Sequence, residues 1–445
     1  MTGSSILERL RSLPDPYPIV PVDGPLDATV RVPGSKSVTN RALVCAALAS
    51  GTSRLEGALF ADDTAAMLGV LHALGLAVIA DEGAERITVT GCAGRVPASS
   101  QPVEVRQSGT TARFALPLLA LGEGPYRVTA HPQMQARPMA TTLDALTSLG
   151  AGVEALGPPG HLPATISAGG ARSAELWVPG HASSQFLSGL LLIGPCLPDG
   201  LSVELTSELV SRPYVDLTIA VMRAFGAAVD HDDTSFHVAP GGYVARAYEI
   251  EADASAASYP LAAAAICGGR VRVEGLGEGT LQGDTAFADV LGAMGASVRR
   301  DATGTEVSIE RGALVGGTFD LADFSDTAQS LAVVAPFAST PVSVTGIGFI
   351  RRKETDRVAA VATELERCGI DVQAEADGWT IRPGRPHGAT VQTYEDHRMA
   401  MSFALLGLAV DGIAIADPAC VAKTFPGYWQ LVDELRGATG RPGRV

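Results

Sequence analysis

The amino-acid sequence predicts an α/β protein built from six repeated units and divided into two domains. Its 445 residues exceed the roughly 250 to 300 residues that one hydrophobic core supports, so two domains or a repeat array are expected. Two kinds of apolar helical segment recur along the chain at spacings of 69 to 76 residues. Short alternating runs between them are typical of strands. Self-similarity at a fixed period indicates a repeat architecture.

The first kind of segment is a helix that ends in a glycine-containing turn and leads into a strand. In TLDALTSLGAGVEA, residues 142–155, apolar positions recur at helical spacing up to the turn. Glycine just beyond the last helical turn is a C-cap signal. The turns of the five segments contain Gly75, Gly150, Gly226, Gly295 and Gly369.

The second kind of segment is an almost wholly apolar helix that opens with small polar or charged residues. Helices that are apolar all round must be buried. Helix N-termini carry unpaired N–H groups and partial positive charge, so six of them directed at one place would form an anion site. The six openings lie near residues 37, 109, 183, 254, 325 and 396.

The residues at these openings have two interpretations. Serine, threonine and aspartate there are the usual N-cap residues, and capping alone would explain them. Capping does not explain the cations Lys36, Arg41, Arg113 and Arg398, which are unfavourable at positive helix ends. A bound polyanion would supply the reason for them.

The net charge of −15 argues against a nucleic-acid partner, because such binding depends mainly on neutralised phosphates. The six cysteines form no C-x-x-C pair, which favours free thiols in a reducing compartment. The first twenty residues lack the apolar core of a secretory signal, and no apolar run reaches the length of a membrane span. We therefore expect a cytoplasmic protein without a membrane partner.

Only three of the 33 basic residues are lysines, and each lies beside a cluster of charged residues or a helix opening. Lys36 opens the first buried helix, Lys353 lies in IRRKETDR, and Lys423 lies in AKTFPGYW. Lysine differs from arginine as a compact point charge that can release its proton when burial shifts its pKa. Because arginine is otherwise so strongly preferred, the three remaining lysines indicate positions where a guanidinium group would not serve.

Nine motifs along the chain, from about residue 20 to 435, carry a family resemblance. They are GSKSVTNRAL, GTTARF, RP at 137–138, SSQFL, VSRPY, DASAASYPLAAAA, KETDR, DHRMAM and AKTFP. In this order they resemble the 5-enolpyruvylshikimate-3-phosphate (EPSP) synthase family. The resemblance implies two similar domains of three βαβαββ repeats each, the inside-out α/β barrel of enolpyruvyl transferases. It also implies domains at 35–250 and at 1–34 plus 251–445, with the active site in the cleft between them.

The implied reaction is transfer of the enolpyruvyl group of phosphoenolpyruvate to the 5-hydroxyl of shikimate 3-phosphate, with release of phosphate. It needs no cofactor and no metal, and the histidines show no ligand spacing. The expected partners are these two small molecules, with no nucleic acid and no membrane, and we expect a monomer.

The resemblance assigns site residues position by position. For shikimate 3-phosphate it implies Lys36, Ser37, Arg41, Ser183, Ser184, Gln185, Ser211, Asp326 and Lys353. For phosphoenolpyruvate it implies Lys36, Gly109, Arg137, Gln185, Arg357, Arg398 and Lys423. The implied catalytic groups are Asp326 as base for the 5-hydroxyl, and Glu354 at the methylene carbon, where Lys36 is also a candidate.

These residue types suit the chemistry. Two anionic substrates bring about four to five negative charges to one site, which requires several arginines and lysines. Addition needs a base at the hydroxyl and an acid at the methylene carbon, and elimination needs the reverse, so paired carboxylates and a lysine fit.

Two positions depart from the family pattern. Phe349 stands where members often have a polar residue, so no substrate contact is carried over there. Phe114 replaces a common proline and could alter the packing behind Gly109. Glyphosate resembles the phosphoenolpyruvate part of the family's site, so we expect inhibition that Gly109→Ala weakens. We expect a capping or hinge role for Asp253 and a helix-end hydrogen bond for His397.

Three alternatives remain at this stage. The sister transferase acting on UDP-N-acetylglucosamine commonly has a reactive cysteine in a loop that here, at 121–138, contains none. A non-catalytic anion-binding module gains nothing from carboxylates beside anionic ligands. An RNA-processing protein is disfavoured by the net charge and the 5% aromatic content.

Overall fold

The structure, a computed structural model, describes residues 6–167, 175–181 and 183–439. The chain divides into two compact units. Gly34–Glu251 form the inserted unit, and Met1–Pro33 with Ala252–Val445 form the terminal unit. Across the described residues no helix has both the length and the apolar character needed to cross a membrane.

The described residues form fourteen α-helices. They are α1 (Ile6–Arg11), α2 (Lys36–Leu48), α3 (Asp62–Ala73), α4 (Gly109–Ala120), α5 (Pro132–Gln135), α6 (Ala140–Ser148), α7 (Ser184–Ile193), α8 (Arg212–Ala224), α9 (Ala254–Cys267), α10 (Ala286–Ala293), α11 (Ala328–Val334), α12 (Arg357–Arg367), α13 (His397–Gly407) and α14 (Tyr428–Gly437). Short 3-10 helices are Gly194–Cys196, Gly283–Thr285, Ser325–Thr327, Ala335–Phe337, Gly348–Arg352 and Pro418–Lys423.

The same residues form twenty-five strands. They are β1 (Tyr17–Pro18), β2 (Leu26–Arg31), β3 (Ala49–Ser50), β4 (Thr52–Glu56), β5 (Ala77–Asp81), β6 (Arg86–Thr90), β7 (Val103–Glu104), β8 (Tyr126–Thr129), β9 (Gly152–Ala155), β10 (Ala164–Ser167), β11 (Glu175–Val178), β12 (Leu201–Leu205), β13 (Val229–His231), β14 (Ser235–Val238), β15 (Tyr243–Val244), β16 (Ala247–Glu249), β17 (Gly269–Glu274), β18 (Ser297–Arg300), β19 (Gly304–Ile309), β20 (Thr318–Asp320), β21 (Val342–Thr345), β22 (Val372–Ala374), β23 (Trp379–Ile381), β24 (Thr390–Val391) and β25 (Ala414–Ile415).

Three four-stranded sheets of one topology lie in the inserted unit, in the orders β16-β4-β6-β5, β7-β8-β10-β9 and β11-β12-β14-β13. In each, the first two strands are parallel and the other neighbours antiparallel. A parallel pair requires a crossover, and α4 lies in the one between β7 and β8, as α7 does between β11 and β12. The repeat at β4 takes its first strand, β16, from the far end of the unit.

The terminal unit repeats this topology in the orders β18-β19-β17-β2 and β20-β21-β23-β22. Here β2 pairs in parallel with β17, although the whole inserted unit separates them in sequence. A third sheet has three strands, β1-β25-β24, and its antiparallel edge strand comes from the N-terminal segment. The α/β repeat prediction is confirmed, with the addition that several repeats are completed by strands distant in sequence.

Each unit has a core of buried helices, most of which are capped at the N-terminus by a side chain; α11, preceded by Thr327, has no such cap. In the inserted unit, Ser35, Ser108 and Ser183 cap α2, α4 and α7 through side-chain oxygens that accept backbone N–H groups. Asp253 and Asp396 do the same for α9 and α13 in the terminal unit. The capping interpretation of these hydroxyls and carboxylates is therefore correct, and the cations beside them still need their own reason.

The glycines that were expected to end the amphipathic helices all adopt positive φ, from 73° at Gly75 to 107° at Gly295. Glycine favours this left-handed conformation because it has no Cβ. Each follows its helix by two residues, as at α6, which ends at Ser148 before Gly150. These predicted helix ends are confirmed.

Candidate active site

In the inserted unit, the first turn of α2 places Lys36 beside a carboxylate. Its Nζ lies 3.5 Å from Oδ2 of Asp63, on the first turn of α3, and the two side chains are 14% and 5% exposed. A lysine at a helix N-terminus opposes the helix dipole, so Asp63 partly offsets an unfavourable position. Lys36 is thus held as a nearly buried cation at the end of a buried helix.

Arg41, one turn further along α2, is buried and held by neutral groups. Its Nε donates to Oγ1 of Thr218 at 2.7 Å, and its Nη1 and Nη2 each donate at 2.9 Å to the carbonyls of Ser37 and Tyr214. The guanidinium carbon lies 5.2 Å from the centre of the Phe114 ring. Burial lowers the pKa of Arg41 to about 10. Among its described contacts none is a carboxylate, so the positive charge of Arg41 is not neutralised locally.

Gly109 opens α4 next to two guanidinium groups. A Cβ built on Gly109 would lie 2.7 Å from Nη1 of both Arg113 and Arg137. Nη1 of Arg113 donates to the Gly109 carbonyl at 3.1 Å, and its guanidinium carbon lies 4.8 Å from the Phe186 ring centre. Only glycine leaves this space beside the two cations.

The opening of α7 is joined to that of α4. The Gln185 amide donates to Oγ1 of Thr110 at 3.2 Å, and its carbonyl oxygen accepts from Nη1 of Arg113 at 3.4 Å. Ser183 caps α7 and is half-buried, while Ser184 is buried. The structure therefore brings Gln185 next to the Gly109 group.

Ser211 precedes α8 in a left-handed conformation with φ of 55° and is buried. From α8, the Thr218 hydroxyl that accepts from Arg41 also lies 2.9 Å from Oγ of Ser188 on α7. A non-glycine residue at positive φ is uncommon and often occurs at functional sites. The α8 segment thus connects the predicted residues of α2 to those of α7.

In the terminal unit, Asp326 accepts from three cations. Its Oδ1 lies 2.9 Å from Nζ of Lys353 and 3.4 Å from Nη1 of Arg357, and its Oδ2 lies 2.7 Å from Nη2 of Arg398. The Asp326 side chain is 16% exposed. The three predicted substrate-binding cations and the predicted base therefore form one network.

Arg357 is the centre of this network. Its Nε donates to Oδ2 of Asp396 at 2.7 Å, and its Nη2 donates to Oε2 of Glu354 at 2.8 Å and to Oδ1 of Asp396 at 3.2 Å. Burial would lower the pKa of Arg357, but Asp396, Glu354 and Asp326 outweigh it and hold that pKa above its ordinary value. A guanidinium shared among carboxylates in this way stays charged and fixed in orientation.

Two lysines lie at the edges of the network. Oε1 of Glu354 lies 3.8 Å from Nζ of Lys423, which is 6% exposed. Lys353 lies 5.6 Å from the centre of the Phe349 ring. Burial lowers the pKa of Lys353 below its ordinary value, and Asp326 only partly counters this. The structure thus places Phe349 beside Lys353, at a position to which the sequence assigned no substrate contact.

Sequence reasoning assigned no role to several groups that complete these two sets. Asp63 lies ahead of the apolar pattern by which its helix is recognised, and Phe186 looked like ordinary core. Tyr259, whose hydroxyl lies 3.3 Å from Nη1 of Arg398, sits in an alanine-rich motif. The carboxylate of Asp396 was expected only as a helix opening. An acidic residue opening α3 was the one available signal for Asp63.

Comparisons with known proteins agree with the geometry. The family model described as EPSP synthase (3-phosphoshikimate 1-carboxyvinyltransferase) matches residues 21–432. A 3-phosphoshikimate 1-carboxyvinyltransferase from Nostoc sp. is 43% identical over 417 residues, covering 93% of this chain and 98% of the relative. One from Methanoculleus marisnigri is 42% identical over 414 residues, covering 92% of this chain and 97% of the relative. The UDP-N-acetylglucosamine alternative is not favoured.

Solved structures also match. EPSP synthase from Acinetobacter baumannii superposes with a TM-score of 0.79 at 26% identity, covering 94% of this chain and 97% of that one. The enolpyruvyl transferase NikO from Streptomyces tendae gives a TM-score of 0.70 at 20% identity, covering 94% and 96%, and supports the fold alone. The enolpyruvyl transferase fold class is thereby confirmed. With the family model matching nearly the whole chain, the chain belongs to the EPSP synthase family, the 3-phosphoshikimate 1-carboxyvinyltransferases.

Proposed function

We propose that the chain transfers the enolpyruvyl group of phosphoenolpyruvate to the 5-hydroxyl of shikimate 3-phosphate and releases phosphate. The observation that carries this is the network in which two partly exposed carboxylates, Asp326 and Glu354, share the guanidinium group of Arg357. Anion binding alone would not call for carboxylates beside the ligand, whereas addition and elimination call for two proton-transfer groups among cations.

Shikimate 3-phosphate is the proposed ligand of the residues around α2, α7 and α8, together with Asp326 and Lys353. Helix N-termini favour phosphate oxygens, and Lys36 and Arg41 add full charges there. The locally unneutralised charge of Arg41 supports this assignment, because a buried cation held by neutral oxygens gains most from an incoming anion. The further proposed contacts of this ligand are Ser37, Ser183, Ser184, Gln185 and Ser211.

Phosphoenolpyruvate is the proposed ligand of the guanidinium groups. Arginine binds carboxylates and phosphates through two parallel hydrogen bonds, which suits a substrate that carries both. The space that Gly109 leaves beside Arg137 supports a binding position there. The further proposed contacts are Lys36, Gln185, Arg357, Arg398 and Lys423.

In the proposed mechanism, Asp326 takes the proton of the 5-hydroxyl while the oxygen bonds to C2 of phosphoenolpyruvate. Glu354 or Lys36 donates a proton to the methylene carbon, which becomes a methyl group and gives a tetrahedral adduct. In elimination the same Glu354 or Lys36 takes a proton back from that methyl group, the C2–O bond to phosphate breaks, and the double bond is restored. The proton on Asp326 leaves with the phosphate, so atoms and charges balance.

The ion pairs of Asp326 bear on its use as a base. Its oxygens accept from three cations. Arriving phosphate and carboxylate groups compete with Asp326 for Lys353 and Arg398, and each cation drawn away frees hydrogen-bonding capacity for the 5-hydroxyl. Substrate binding would thereby prepare this carboxylate for the reaction.

We also propose a monomer in the cytoplasm. The support for this compartment is that all six cysteines are free. Burial makes these thiols less reactive; for the buried Cys267 it raises the pKa to about 12. Unpaired, unreactive thiols suit a reducing compartment.

The test is phosphate release from phosphoenolpyruvate by the purified protein, with and without shikimate 3-phosphate. We expect release only with both substrates, and a loss on the order of 100-fold or more in Lys36→Arg, because a guanidinium is larger than an ammonium group and does not release its proton. Arg31→Lys, at a side chain that is 85% exposed, is the control. Release with UDP-N-acetylglucosamine instead, or with neither acceptor, would reject the proposal.

A further inference from the structure

A buried carboxylate on α12 lies outside the groups assigned above. Glu364 has no exposed surface, and its Oε2 accepts from the Gln392 backbone N–H at 3.0 Å and from Nε of Arg367 at 2.9 Å. Its Oε1 accepts from the Tyr394 hydroxyl at 2.7 Å. Burial, reinforced by this bond, raises the pKa of Tyr394 to about 12, so the phenol keeps the proton that it donates. Glu364 thus ties residues 392 and 394 to α12.

The segment that Glu364 holds has an unfavourable backbone. Tyr394 and Glu395 are consecutive non-glycine residues, and both have φ of 55°. Left-handed conformation is costly for residues with a Cβ and persists only where surrounding contacts impose it. The hydrogen bonds to Glu364 are such contacts, because they fix the residues on either side of Thr393 and hold the Tyr394 side chain.

This strained segment ends at Asp396, the residue that holds Arg357. Asp396 has no exposed surface, caps α13 through the Arg398 N–H at 3.0 Å and binds Arg357 through both carboxylate oxygens. Arg357 is the first residue of α12, the helix that also carries Glu364. The contacts therefore close a ring that runs from α12 through the strained segment to α13 and back to α12.

We propose that Glu364 is a positioning residue for Arg357 and Arg398, acting through the 392–396 segment without touching substrate. The proposal rests on the proposed function, since it takes these two arginines as ligands of phosphoenolpyruvate. Charge-assisted hydrogen bonds at Glu364 impose the backbone at Tyr394 and Glu395, and that backbone sets the position of Asp396. Asp396 in turn holds the guanidinium group of Arg357 and the backbone N–H of Arg398. Without the Glu364 carboxylate the segment relaxes, the Arg357 guanidinium group loses its fixed orientation, and the start of α13, which carries Arg398, shifts.

A positioning role and a general structural role predict different kinetics. If Glu364 only stabilised the terminal unit, its loss would lower the amount of folded enzyme and leave the KM values of both substrates in place. A positioning role toward two phosphoenolpyruvate ligands predicts a selective change in the KM for phosphoenolpyruvate. Shikimate 3-phosphate, assigned mainly to residues of the inserted unit, then serves as the internal reference.

The experiment measures kcat and both KM values for the wild type, Glu364→Gln, Tyr394→Phe and the control Glu366→Gln, an exposed carboxylate on the same helix. For Glu364→Gln we expect the KM for phosphoenolpyruvate to rise on the order of 10-fold or more, because small displacements of positioning groups are costly. The KM for shikimate 3-phosphate should stay within about twofold. Tyr394→Phe, which deletes one hydroxyl, should show the same selectivity at about a third of the size, and it decides the question if Glu364→Gln fails to fold.

Equal changes in both KM values, no change in either, or the same effect in Glu366→Gln would overturn the positioning role. The wild type in the same assay tests the proposed function separately. If it releases no phosphate from the two substrates, the proposed function fails. Equilibrium dialysis then compares how well the wild type and the variants keep the phosphoenolpyruvate binding that depends on Arg357. Unchanged dialysis affinity in Glu364→Gln would overturn the positioning role in that case also.

Discussion

A buried arginine of the inserted unit and one of the terminal unit are held by different means. In the inserted unit, Arg41 is stacked on Phe114 and bonded to a hydroxyl and two carbonyls, all of them neutral. In the terminal unit, Arg357 is bonded to three carboxylates. The two arginines are equally buried, at 2% and 1% exposed. Their surroundings therefore differ in charge and not in access to solvent.

The difference indicates a division of labour. A buried cation with neutral partners is energetically unsatisfied until an anion arrives, so the inserted unit is suited to capturing a phosphorylated substrate. Cations locked among carboxylates are oriented in advance, and the carboxylates between them are available for proton transfer. The neutral surroundings of Arg41 thus suit the binding of an anion, whereas the two proposed catalytic carboxylates lie around Arg357.

The largest expected effect comes from the proposed acid–base residues of the terminal unit. Asp326→Asn should lower kcat about 1,000-fold, because an amide cannot accept the hydroxyl proton, while both substrates still bind. Asp323→Asn, an exposed carboxylate three residues earlier, is the control. Phosphate release under saturating substrates measures the effect. A loss of less than about tenfold would mean that the terminal unit does not supply the base.

The next comparison is of stability. Arg357→Met should destabilise the protein by about 3–5 kcal/mol, because it leaves the fully buried Asp396 carboxylate uncompensated. Arg41→Met leaves only neutral acceptors without a donor and should cost about 1–3 kcal/mol. Denaturant unfolding of the two variants measures the difference. Equal losses would show that the surroundings of the two arginines do not differ in effect.

In the inserted unit, Gly109→Ala should raise the KM for phosphoenolpyruvate and the inhibition constant of glyphosate roughly 10-fold to 100-fold. The added methyl group would displace the guanidinium ends of Arg113 and Arg137, and a small displacement of positioning groups can cost up to about 100-fold. Gly69→Ala on α3, where a Cβ meets no atom within 4 Å, is the matched control. Inhibition that is the same in wild type and Gly109→Ala would refute this expectation.

The smallest effect concerns the aromatic support of Arg41. Phe114→Leu should raise the KM for shikimate 3-phosphate about fivefold, since a desolvated cation–π contact contributes about 1–2 kcal/mol. Phe225→Leu, an equally buried ring in the same unit that faces Tyr248, serves as control. If the two variants behave alike, Phe114 is ordinary core and neutral hydrogen bonds alone orient Arg41.

The α/β repeat could be predicted because its signals are local. Gly150 ends α6 for reasons contained in a few residues, and the apolar α4 must be buried whatever surrounds it. Strand pairing is a different matter. β2 pairs with β17, so that Leu26 lies opposite Gly269. Two-residue strands such as β1 carry too little sequence pattern to be recognised.

The site shows the same limit. Helix openings and the family motifs pointed to Lys36, Asp326 and Arg357, and the structure connects the last two directly. Which carboxylate meets which cation depends on contacts between segments far apart in sequence. Asp396 reaches Arg357 across 39 positions, and no periodicity encodes that distance. The groups that support the site were therefore the ones that sequence reasoning missed.

The distant strand partners have a consequence for biosynthesis. When β2 leaves the ribosome its partner does not yet exist, since Gly269 follows Leu26 by 243 positions. At about 5–20 residues per second the wait lasts roughly 12 to 50 s. The inserted unit contains its own strand partners, β16 with β4 among them, and can close during that interval. The terminal unit folds last around a strand made first, so a nascent chain released early would expose β2 as an unpaired edge open to aggregation.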